Sequence, residues 1–177
     1  MCCRWWPIGC QHLSSVKVGL VTVRPIAFKT LKVYICSTKK NPHTLDWRRI
    51  QVYTLTHEVF VAFEYGLGED IDLHAVYTPE DVAYLTEVLP ALAKTWIDKS
   101  DPDAVAELVE CMQYLQLQTA SLYREAVDFL LDDANSDGSW GHYGTSERAK
   151  MRLYLHTVGV VLQSLFYEFY GPMPTLK

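Results

Sequence analysis

From about residue 46 onward, apolar residues return at steps of three and four, the period of an amphipathic helix. The pattern predicts five helices joined by short turns. The first covers about 46–65, with Asp46 placed to cap its first turn and Gly66 and Gly68 to end it. The second opens with Thr78-Pro79-Glu80-Asp81: an N-cap hydroxyl, a proline where no N–H is needed, and acids at the positive end of the helix dipole. Val82, Leu85, Leu89, Leu92 and Trp96 form its apolar stripe. Ser100 or Asp101, then Pro102 and Asp103, repeat that start for a third helix striped by Val105, Leu108, Met112 and Leu115. A fourth covers about 121–133, with Ser121 placed to cap it and Ala126, Phe129 and Leu130 facing inward.

The fifth helix, about 146–169, starts behind Thr145 or Ser146 and stops at Gly171-Pro172. Met151, Leu155, Val158, Leu162, Leu165 and Phe169 make one stripe, and Leu153, His156, Val160 and Tyr167 lie near a second. Two apolar stripes predict a helix packed between neighbours. Short joints between helices imply antiparallel packing, so the expected fold is all-α, an irregular antiparallel bundle over 46–171 with a tail at 172–177.

Residues 1–45 do not continue this pattern. Residues 1–50 carry a net charge of +8, and the rest of the chain −13; no Asp or Glu precedes Asp46. Four of the five cysteines, Cys2, Cys3, Cys10 and Cys36, also fall there. Three readings fit: a basic targeting peptide, a short hairpin built on the alternation of Val16, Val18 and Leu20 and of Leu31, Val33 and Ile35, or a disordered or mis-assigned extension outside the core.

Composition excludes several classes. The chain is 49% hydrophobic and 21% charged, ordinary for a globular domain of 177 residues. No apolar run reaches the ~18 residues of a membrane span, and a cytoplasmic location is expected. An overall charge of −5 and the lack of a basic-aromatic ladder argue against nucleic acid. No phosphate-binding loop, dinucleotide fingerprint or nucleophile elbow occurs. Cys111 sits alone in an apolar helix and reads as a small core residue rather than a nucleophile.

The most specific stretch joins the fourth and fifth helices. Arg124, then Phe129-Leu130-Leu131, Asn135, Gly138 and Trp140 follow one another at characteristic spacing. This resembles the Gln–Trp repeat of the terpenoid cyclase and protein prenyltransferase α/α toroids, with Asn135 where that repeat has Gln. The motif has a structural sense: a helix ends, Gly138 turns the chain, the indole packs over the joint, and the amide satisfies free backbone groups. Thr56-His57 and His156-Thr157 add a likeness to uncharacterised bacterial toroid-like domains. The resemblance implies a partial α/α toroid, with a second copy or a protein partner completing the ring. It does not bring the cyclase chemistry, because no Asp-x-Asp-Asp string occurs; nor does it bring the prenyltransferase zinc set.

Candidate chemistry rests on few residues. His57 and His156 each lie on an apolar helix beside a threonine. With Glu58 they form the candidate acid/base or ligand-orienting group, unless each imidazole merely bonds within the core. Asp133, Asn135 and Asp137, followed by Gly138, match the first half of a calcium-binding loop. The closing position holds Gly144 instead of a bidentate Glu, so calcium stands only as an alternative and no other cofactor is expected. Tyr53, Tyr65, Tyr154, Tyr167 and Trp96 line either an aromatic cavity or the core. The expected function is therefore an accessory or binding domain, with an enzyme of terpenoid or natural-product metabolism as the alternative.

Overall fold

The computed structural model describes residues 48–63, 76–141 and 148–171, with only the backbone described for 148–153. All belong to one unit, Lys32–Lys177. Five helices account for most of them: α1 (Arg49–Ala62), α2 (Pro79–Asp98), α3 (Pro102–Tyr114), α4 (Ser121–Asp132) and α5 (Arg148–Tyr170). No strand occurs among the described residues. The expected hairpin and targeting readings of 1–45, the Gly66/Gly68 turn, Tyr65, and the Asp46, Thr145 and Ser146 caps lie outside the described residues.

The helix signals act as local chemistry dictates. At the start of α2, the Thr78 hydroxyl accepts from the Asp81 N–H at 3.2 Å, and the Asp81 carboxylate accepts from the Thr78 N–H at 2.9 Å. That reciprocal box satisfies two otherwise orphaned donors. Asp101 caps α3 by accepting from the Ala104 N–H at 3.2 Å. Ser100 has a different task. It ends α2 in the left-handed region (φ 52°), while the Asp101 N–H reaches back to the Trp96 carbonyl. Gln116 (φ 57°) and the bond from Leu117 N–H to Met112 O close α3 the same way. Both are Schellman-type ends without the usual glycine. The expected Ser121 cap does not form: Ala120 is the N-cap of α4 and no side chain caps it, because Ser121 already lies inside the first turn.

The fold is organised around α3. Every residue from Pro102 to Gln113 is buried, and α1, α2, α4 and α5 all pack against this one helix. Leu55, Leu85, Leu89, Leu108, Met112 and Leu130 fill the space between. The result is an irregular bundle with a central helix.

The long helix α5 departs from the expected packing. Thr157, Val161, Ser164 and Leu165 are its buried positions, whereas Leu155, Leu162 and Phe169 of the predicted stripe are exposed. The inward face includes two small hydroxyl residues, which hydropathy reads as polar, so the sequence pattern finds the inward side only in part, at Leu165 and the half-buried Val158.

Candidate functional site

Because α3 is enveloped, its polar residues are trapped in the core. Asp103, Glu107 and Glu110 recur at i, i+4 and i+7, which aligns them on one face, and all three are buried. That face meets α1 and α5. Burying a carboxylate is costly unless partners compensate, and the flanking helices supply them.

Asp103 is the best satisfied. Arg49 Nη2 donates to its Oδ2 at 2.9 Å, the Tyr53 hydroxyl donates to the same oxygen, and Thr157 Oγ1 donates to Oδ1 at 2.9 Å. Arg49 also pairs with Asp101 at 3.3 Å and donates from Nε to the Tyr53 hydroxyl at 2.8 Å. Arg49 and Tyr53 are one turn apart, and the guanidinium stacks 5.3 Å from the ring centre. Burial and the adjoining Asp103 push the Tyr53 hydroxyl far above its ordinary pKa, so it stays a donor.

Glu107 lies between the two imidazoles. It is wholly buried. Its Oε2 accepts from the Thr56 hydroxyl at 2.5 Å and stands 3.7 Å from His57 Nδ1. Its Oε1 faces His156 Nε2 at 3.4 Å but accepts no hydrogen bond among the described residues. His156 Nε2 is also 3.7 Å from Asp103 Oδ1. The Glu107 carboxylate, reinforced by Asp103, raises the His156 pKa against the opposing effect of partial burial.

The two rings reach the surface, 27% and 37% exposed for His57 and His156. His57 Nδ1 is 2.8 Å from the Tyr53 carbonyl, an acceptor only, so Nδ1 carries the proton and Nε2 is left for another partner. The site thus has a buried carboxylate floor and an imidazole rim.

The third residue of the expected group, Glu58, is buried on α1 and lies by Tyr77, whose hydroxyl pKa burial and this carboxylate raise. The carboxylate that approaches both imidazoles is Glu107. Further along α3, burial and the neighbouring Glu107 push Glu110 up to about 8, so it is largely protonated at neutral pH. Cys111 is buried, and that burial raises its thiol pKa, which removes the thiolate a nucleophile needs.

The aromatic candidates divide. Tyr114 stacks on Phe63 at 5.3 Å and meets Phe60 and Tyr167 edge-on, a packed core cluster. Trp96 is buried on α2.

The joint after α4 is a cap. The Trp140 indole N–H donates to the Leu130 carbonyl at 2.6 Å, satisfying one of the free acceptors at the end of α4. Asn135 Nδ2 donates to Gly141 O at 3.2 Å and Ser139 Oγ at 3.1 Å, and Gly138 supplies the positive φ of 79°. Phe129 is half-buried and Leu130 fully buried. Asp137 Oδ1 is held by the Ser139 N–H and hydroxyl. Among the described residues, no group of three or more His, Cys, Asp or Glu is arranged to hold a metal ion; Gly144 lies outside them.

The fold and site define an all-helical domain with a carboxylate-backed imidazole pair at one junction. The chain belongs to the family described as a domain of unknown function, DUF6895, whose model matches residues 34–154. No curated protein and no solved structure matches it. Among the described residues no helix is long and apolar enough to cross a membrane.

Proposed function

We propose that this is a binding domain whose ligand sits on the imidazole rim formed by His57 and His156, with Glu107 and Asp103 behind it. The observation that carries the reading is the state of Glu107 Oε1. It is buried, it accepts no hydrogen bond among the described residues, and it faces a ring that is open to solvent. A carboxylate retained only for packing would be expected to satisfy both oxygens. With that carboxylate held against His156, the part-exposed His57 ring, whose Nε2 is left as an acceptor, suits a ligand that donates a hydrogen bond, such as an amine or a hydroxyl compound. The resemblance to cyclase-type toroids adds an accessory role to this reading and no chemistry, and a cytoplasmic setting goes with it.

A second reading, an acid/base enzyme, draws support from the His156–Glu107 pairing. A carboxylate behind an imidazole fixes its orientation and raises its basicity, as a general base requires.

The test is an NMR titration of the ring nitrogens of His57 and His156 with putrescine and with ethanolamine. The reading expects saturable shifts at His156 that disappear in Glu107→Gln. Unmoved rings with both probes would reduce the cluster to core packing.

A further inference from the structure

The outer face of α5 has no partner among the described residues. Leu155, Leu162, Phe166, Phe169 and Tyr170 are between 40% and 77% exposed and fall along one side of the helix over about 22 Å. Phe166 and Tyr170 stack on each other at 4.9 Å, which fixes that end of the stripe. Gly159 lies in the same stripe, and a Cβ built there meets nothing within 4 Å.

We propose that this face docks against the same face of a second copy, as an antiparallel α5·α5 pair around a two-fold axis at Leu162. Three observations select that occupant. First, the stripe is self-complementary in size when reversed about Leu162. Leu155 then lies opposite Phe169 and Tyr170, Leu162 opposite its own copy, and the gap at Gly159 opposite the Phe166 ring. The spacing of seven between Leu155, Leu162 and Phe169 keeps the seam on one side, as in knobs-into-holes packing.

Second, the face carries no charge that would repel its copy. From Tyr154 to Tyr170 there is no Lys or Arg, and the sole acid, Glu168, is bonded to Tyr123 at 2.5 Å and paired with Arg124 at 3.0 Å. Third, the exposed parts of these side chains amount to roughly 600 Å² per copy, taking ~150–250 Å² for each large ring. A two-fold pair then hides about 1,200 Å², the lower edge of a specific interface.

The experiment is sedimentation equilibrium on the full chain from about 1 to 500 μM. The parent should dimerise. Leu162→Glu places two carboxylates face to face on the axis and should weaken association at least a hundredfold, with unchanged helical circular dichroism because the site is half exposed. Gly159→Phe fills the space that the Phe166 ring of the other copy needs, and should weaken it at least tenfold. Adding Phe166→Ala to Gly159→Phe moves the large ring to the other side of the seam and should recover most of that loss. A parent that stays monomeric at 500 μM overturns the proposal. So does a dimer indifferent to Leu162→Glu and Gly159→Phe, or a monomer that sediments with phosphatidylcholine/phosphatidylglycerol vesicles in a Leu162-dependent way.

Discussion

Replacing Glu107 by Gln tests the electrostatics of the site with almost no change in shape. The amide oxygen can still accept from the Thr56 hydroxyl, so that bond survives. What is lost is the charge 3.4 Å from His156 Nε2. Two unit charges at that distance gain about 5 kcal/mol at an effective dielectric of 20. More than a third of the imidazole faces solvent, however, and that screening leaves about 1–2 kcal/mol. His156 has its pKa raised in the folded state, so the stabilisation is fully present below the unfolded value, near 6.5, and is lost as pH rises through the folded one. The other groups facing it are Asp103, which keeps favouring the imidazolium in the variant, and Arg49, which opposes it.

The variant should therefore lose about 1–2 kcal/mol at pH 5.5, or a Tm drop of roughly 2–8 °C. At pH 8.5 it should nearly match the parent. Paired thermal melts at the two pH values, with the His156 pKa followed by NMR, make the measurement. A Tm loss that is equal at both pH values, or larger at pH 8.5, would refute the assignment of Glu107 as the partner of a protonated His156.

Two further outcomes follow from the helix ends. Ser100 holds a left-handed conformation that costs a residue with a Cβ about 1 kcal/mol or more, partly offset by the greater chain entropy of glycine when unfolded; Ser100→Gly should thus raise stability by about 0.5–1 kcal/mol in urea melts. Trp140→Phe removes the donor to the Leu130 carbonyl and leaves a small void, so it should cost about 1.5–3 kcal/mol in the same melts.

The helices were legible because their signals are local. Thr78-Pro79 and Asp101-Pro102 start α2 and α3 as their chemistry requires, and the indole at Trp140 closes α4 as the motif around it implies. The faces were legible only where a neighbour matched the hydropathy. On α5 the inward positions include Thr157 and Ser164, because Thr157 donates to Asp103 and the Ser164 carbonyl accepts from Gln113 Nε2. Those bonds depend on α3, more than forty residues earlier, and no window along α5 contains them.

The histidines were visible in the sequence and their carboxylate was not, for a related physical cause. An imidazole amid apolar residues is conspicuous, whereas an acid at every third or fourth position of a striped helix reads as its solvated side. Asp103, Glu107 and Glu110 have that spacing opposite Val105, Leu108 and Met112. What distinguishes α3 is the narrowness of the acidic strip: Ala104, Ala106, Val109 and Cys111 flank it and are buried as well. A surface helix usually interleaves such acids with Lys or Arg, yet α3 contains neither. Its acids therefore draw their partners from other helices, and Arg49, Tyr53, Thr56, His57, His156 and Thr157 converge there because α3 has no cation of its own.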